Sequence, residues 1–171
     1  MNRTLATITA LVALTASAAF GGWAYAQGGG SRLTPSLTAQ DHVEITQLYA
    51  RFNQGTDFRN ADLWLSTFAD DAVFTLPNGR DIVGKDALTA WRAQSFGGNV
   101  GDSKRGHMHG SIQLAATPDA GAQGRAYWIV RDVSGKQPTV ASSGYVDDVF
   151  VKTSAGWQFK THAVHSDAMA D

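Results

Sequence analysis

Residues 105–114 read Arg-Gly-His-Met-His-Gly-Ser-Ile-Gln-Leu. The pattern alternates with a period of two, so it predicts a strand. Side chains of a strand point to opposite faces in turn, which puts His107, His109, Ser111 and Gln113 on one face and Met108, Ile112 and Leu114 on the other. Two imidazoles on one face can do chemistry if that face looks into a pocket. An imidazole is the side chain best suited to taking and returning a proton near neutral pH. A His-x-His pair on a strand can also present two nitrogens to a zinc ion, given a third ligand from elsewhere. If the face looks at water, neither applies.

Other chemistries lack their residues. There is no cysteine, hence no thiolate nucleophile, no thiolate metal site and no disulfide framework. The chain carries no dinucleotide-binding glycine fingerprint and no phosphate-binding P-loop. Ser142-Ser143-Gly144 is not set in a strand–turn–helix context, so it is no nucleophile elbow. The formal net charge of −1 is spread along the chain, unlike the basic clusters of a nucleic-acid surface.

The elements that must position the histidines follow from hydrophobic spacing. Thr38 and Asp41 form a capping-box pattern, and Ile45, Leu48, Tyr49 and Phe52 line one face of the helix that follows. Gly55 is the expected stop, and residues 56–60 the expected break. A short helix from Ala61 is expected to bury Leu63, Trp64 and Phe68. Residues 69–76 run into a strand, Pro77-Asn78-Gly79-Arg80 is a hairpin turn, and Ile82-Val83 is the return. Lys85 to Phe96 is helical, with Leu88 and Trp91 buried. The glycine-rich stretch 97–106 is a candidate lid. Four strands follow, over 107–116, 124–133, 140–153 and 157–164. Helices first and an antiparallel meander afterwards define an α+β domain.

The first 26 residues stand apart. A short apolar run from Leu5 to Phe20, diluted by Thr and Ser, precedes Ala24-Tyr25-Ala26, which has the form of a signal-peptidase site. The run falls short of the roughly 20 strongly apolar residues of a membrane span. The expectation is a cleaved signal peptide over 1–26 and export to a periplasm or the medium, with no stable membrane anchor after cleavage. A flexible lead-in over 27–36, a folded domain over 37–165 and a tail over 166–171 complete the chain.

The order of motifs resembles a known family. Helix, Gly55-Thr56-Asp57, short helix, Phe68-Ala69-Asp70-Asp71-Ala72-Val73-Phe74, hairpin, helix, then long strands ending in Gly156-Trp157-Gln158-Phe159 is similar to the SnoaL-like polyketide cyclases. These share the cone-shaped α+β barrel of ketosteroid isomerase, scytalone dehydratase and nuclear transport factor 2. The resemblance implies a strongly curved mixed or antiparallel sheet wrapped around an N-terminal helix layer, with a deep apolar pocket. It implies Asp57 as the partner that orients His107, the pair acting as a base without cofactor or metal. The physical logic is direct: a carboxylate on one ring nitrogen fixes the tautomer and stabilises the imidazolium. The chain departs from scytalone dehydratase in carrying Thr56 where that enzyme has Tyr before the Asp. It has Ser111 where many relatives have Asn.

Tyr49, Trp64, His109, Trp128 and Tyr145 are the expected substrate-binding wall. His109 is expected near the pocket mouth, and His162 and His165 at the surface. The expected reaction is proton abstraction from a small apolar cyclic molecule, leading to dehydration, isomerisation or ring closure. The alternative is a non-catalytic ligand-binding or dimerisation module of the same fold. Relatives commonly pair through the outer sheet face, so a homodimer is expected.

Overall fold

The computed structural model describes residues 35–96 and 104–167. The expected signal peptide, and residues 97–103 of the expected lid, lie outside them.

Helix α1 spans Ala39–Asp57. Its start is fixed by the capping box: the Asp41 N–H donates to Thr38 Oγ1 at 3.2 Å, and the Thr38 N–H donates to Asp41 Oδ2 at 2.9 Å. The same carboxylate receives Lys152 Nζ at 2.7 Å and Trp157 Nε1 at 2.9 Å, which ties the helix start to the far strands. Gly55 does not stop the helix. It is buried inside it, because a Cβ there would meet the backbone nitrogen of Trp64 at 2.7 Å. The glycine lets α2, Ala61–Leu65, cross close to α1. Asp57 is therefore the last helical residue, not part of a break.

The chain continues through β1 (Phe68–Thr75), β2 (Asp81–Val83), α3 (Lys85–Phe96), β3 (Arg105–Ala116), β4 (Ala122–Asp132), β5 (Thr139–Thr153) and β6 (Gly156–Ser166). Phe68, expected on the second helix, opens β1 instead. The sheet order is β2-β1-β6-β5-β4-β3. β3 to β6 form the antiparallel meander, while β1 lies parallel to β6, so the sheet is mixed.

Register shifts interrupt four of the pairings, in β1/β6, β3/β4, β4/β5 and β5/β6. Such bulges bend strands and increase twist, and they curl the sheet around α1. One of them corrects the expected alternation of β3. Ser111 has a positive φ of 50°, and Ser111 with Ile112 stands opposite Ala126 alone, between the pairs Gly110–Tyr127 and Gln113–Arg125. The face flips there. His107 and His109 point inward before the bulge, and Ile112 and Leu114 pack inward after it, while Met108, Ser111 and Gln113 are exposed.

The core between α1 and the sheet is aromatic. Trp64, Phe68 and Phe159 are fully buried, and Phe52 meets Trp64, Phe68, Phe74 and Phe159 with ring centroids 5.8–6.3 Å apart. Edge-on and tilted contacts at this spacing add to the stabilisation from buried area.

Candidate functional site

Asp57 and His107 meet. Asp57 Oδ1 lies 2.5 Å from His107 Nδ1, and Oδ2 accepts the His107 backbone N–H at 2.9 Å. A carboxylate can only accept, so His107 Nδ1 carries the proton and Nε2 is left for a ligand.

One turn earlier on α1, Asn53 Oδ1 lies 2.7 Å from His109 Nδ1. The two contacts share one register. Four residues of helix rise about 6 Å and two residues of strand about 6.6 Å, so Asn53/Asp57 and His109/His107 match along the α1–β3 contact. His109 is not at the mouth. Its ring packs against Tyr49 and Phe52 at 5.2 and 5.9 Å. Burial, followed by the charges of His162 and His107, pushes its pKa down to about 3, so it stays neutral.

A second histidine sits deeper. His162 is fully buried, not at the surface. Its Nδ1 lies 2.6 Å from Asp148 Oδ1, and Tyr49 donates a short hydrogen bond to the other carboxylate oxygen of Asp148. Burial and the Asp148 charge push the Tyr49 phenol far up, so it remains a donor. His162 Nε2 is buried without a partner among the described residues.

His107, His109 and His162 all line one cavity of about 270 Å³, together with Phe52, Phe74, Trp91, Trp128, Val146 and Val164. Thr56, Arg92, Arg105 and Ser142 are its other polar lining, beside Pro77 and Val130. A cavity of about 150 Å³ accepts benzene, so this one suits a molecule of one or two rings. Trp128 is positioned by its indole N–H, which is shared between the carbonyls of Tyr145 and His165 at 3.2 Å each. Gly144 makes that possible: a Cβ there would come within 2.0 Å of the His165 carbonyl oxygen and 2.8 Å of the indole.

Three expected wall residues lie elsewhere. Tyr49 is one layer behind the cavity, bound to Asp148. Trp64 is fully buried under Arg92. Tyr145 points to the outer sheet face, stacked on His165 at 4.5 Å and beneath Arg125, because β5 alternation gives the inner face to Val146 and Asp148. Trp91, expected in the core, is a half-buried wall residue, and its neighbour Arg92 is buried instead.

Asn53, Arg92, Asp148 and His162 are the site residues that sequence reasoning missed. Signals existed for two of them. Arg92 falls four residues after the buried Leu88, on the same helix face, and Asn53 stands one turn before Asp57. Among the described residues, no cluster of His, Asp and Glu side chains has the geometry to hold a metal ion.

An α+β cone whose sheet and first helix enclose an imidazole-lined apolar cavity is the architecture of a small-molecule pocket protein. The SnoaL-like domain model matches residues 37–162, and the chain belongs to that family. No curated protein matches it by sequence. Solved structures do. Aln2 from a Streptomyces species is 23% identical, with 78% of this chain covering 95% of that one at a TM-score of 0.65. A Nostoc punctiforme protein of unknown function with a cystatin-like fold is 25% identical over 78% of this chain and 96% of its own, TM-score 0.66. A Catenulispora acidiphila protein in complex with S-DNPA is 25% identical over 76% of this chain and 96% of its own, TM-score 0.63.

Proposed function

We propose that this chain is an exported, cofactor-independent enzyme that abstracts a proton from a small, mostly apolar cyclic substrate. The reaction it would drive is an elimination, an isomerisation or a ring closure. The observation that carries this reading is that two carboxylate-anchored imidazoles, Asp57–His107 and Asp148–His162, open onto one aromatic-lined cavity.

In this reading His107 is the base. Its Nδ1–H is held by Asp57, so the Nε2 lone pair takes a proton from carbon, and the carboxylate stabilises the imidazolium that forms. His162 is the second proton carrier. In its imidazolium form it gives its Nε2 proton to a leaving hydroxyl or to a second carbon. The buried Asp148 carboxylate, steadied by Tyr49, balances that charge. Neutral His109 and the aromatic wall exclude water, which strengthens both electrostatic interactions. An open cavity at the dyad supports a small-molecule site over a module that only dimerises, and the carboxylate on His107 Nδ1 supports catalysis over ligand binding alone.

The test follows α-proton exchange by proton NMR in D₂O, with a panel of one- and two-ring ketones and β-hydroxyketones. The wild type is expected to exchange or eliminate at least one of them. His107→Gln should slow the reaction by about a hundredfold or more. Equal rates in the two proteins would exclude His107 as the base.

A further inference from the structure

Arg92 is a buried cation without a counter-ion among the described residues. Only 5% of the residue is exposed, yet no carboxylate there pairs with it. Its guanidinium carbon lies 3.8 Å above the Trp64 ring and 4.9 and 4.6 Å from those of Trp91 and Phe96. The aromatic faces supply cation–π attraction and a low-dielectric surround. Its Nη2 donates to Thr56 Oγ1 at 3.2 Å. The Nε–H is buried with no acceptor among the described residues. Burial pushes the guanidinium down to about 9, so it is still a cation at neutral pH. An unpaired buried charge is costly unless something compensates it.

The surroundings point to the compensating group. Arg92 and Thr56 both line the cavity, and Thr56 is the residue before Asp57. The Thr56 hydroxyl donates its one proton to the Phe52 carbonyl at 3.0 Å, so it has none for a ligand. Of this pair, Arg92 is the one with N–H donors left to offer, and Arg105 and Ser142 are further polar groups lining the same cavity. A planar guanidinium is built to receive an oxyanion.

We propose that the cavity's ligand carries, or acquires during reaction, an oxyanion on its one- or two-ring body, and that Arg92 binds that oxygen. The substrate class is narrowed to cyclic carboxylates, phenolates, or ketones whose enolate forms when the α-proton leaves. The inference rests on the proposed cavity but not on the role of His107.

Isothermal titration of the wild-type protein at pH 7.5 with 2-naphthoate and its neutral isostere 2-naphthylmethanol tests it directly. The naphthoate should bind more tightly by about tenfold or more, the scale of a hydrogen bond to a charged group. Arg92→Met should abolish the difference, and Arg92→Lys should keep part of it. Equal affinities in the wild type would overturn the proposal, as would a preference for naphthoate that survives in Arg92→Met. If Arg92→Met does not fold, the wild-type comparison and Arg92→Lys still decide. Failure of the Arg92 proposal would leave proton exchange by His107 intact, whereas failure of the His107 reading would leave anion binding intact. A third probe, 2-tetralone, separates the sources of the oxyanion. If the enolate is the one recognised, tetralone exchange slows in Arg92→Met although the neutral ketone binds equally well.

Discussion

Asp57 holds His107 at two points. Its carboxylate accepts from the ring Nδ1 at 2.5 Å and from the backbone N–H of the same residue at 2.9 Å. The second bond matters as much as the first. It fixes the start of β3 against the end of α1, so the ring cannot move without the strand. Asp57→Asn keeps one acceptor but loses the charge. It should lower stability by about 1–2 kcal/mol, readable in urea unfolding with an unchanged slope. No loss of stability would mean that the carboxylate is not anchoring the strand.

Tyr49 and Asp148 predict a buried cost. Tyr49→Phe leaves one oxygen of a buried carboxylate without its donor, a loss of about 1.5–3 kcal/mol. The raised Tyr49 pKa adds a pH signature. The unfolded phenol ionises near 10 and the native one does not, so this contribution is full below pH 10 and is lost as pH rises beyond it. In an alkaline absorbance titration, Tyr49 should stay silent until the protein unfolds.

His109 predicts acid lability. Its pKa is near 3 in the fold against 6.5 unfolded, so the unfolded chain takes up a proton that the native chain refuses. The contribution is full above pH 6.5 and declines as pH falls toward 3, by up to about 1.4 kcal/mol per pH unit. His109→Gln, which can still reach Asn53, should flatten the stability difference between pH 6 and pH 4. Parallel pH profiles for the two proteins would contradict a buried neutral imidazole.

Much of this was legible in the residues, for physical reasons that differ by element. The capping box of Thr38 and Asp41 and the turn at 77–80 are local signals, and the fold uses both. The mixed topology was legible only through the family resemblance, since β1 pairs in parallel with a strand that lies far along the chain. The Ser111 bulge was not legible. A non-glycine residue at positive φ leaves no mark in a period-two pattern, and the flip it causes reverses the face of Ile112 and Leu114. Gly55 read as a helix stop because its actual role, a close approach to Trp64, is a tertiary contact. Arg92 went unread and His162 read as a surface residue because a buried charge or imidazole needs partners that only the closed fold supplies: three aromatic faces for one, Asp148 for the other.

The outer face of the sheet predicts association. Met108 and Ile129 are cross-strand partners there, and both are exposed along with Tyr127 and Val140. An apolar patch of this kind marks an interaction surface, and an isologous pairing through it would make the expected homodimer. Light scattering during gel filtration should give twice the chain mass for the wild type, and Ile129→Lys should give the monomer. A monomeric wild type at micromolar concentration would contradict this.

The central claim is that Asp57 makes His107 a base by holding its Nδ1 proton. The most direct measurement is the nitrogen-15 spectrum of the histidine rings in the wild type and in Asp57→Asn. The account predicts that neutral His107 is the Nδ1–H tautomer, with a downfield, slowly exchanging ring proton, and that Asp57→Asn loses that proton signal. A neutral Nε2–H tautomer for His107, unchanged between the two proteins, would contradict the pair and the mechanism built on it.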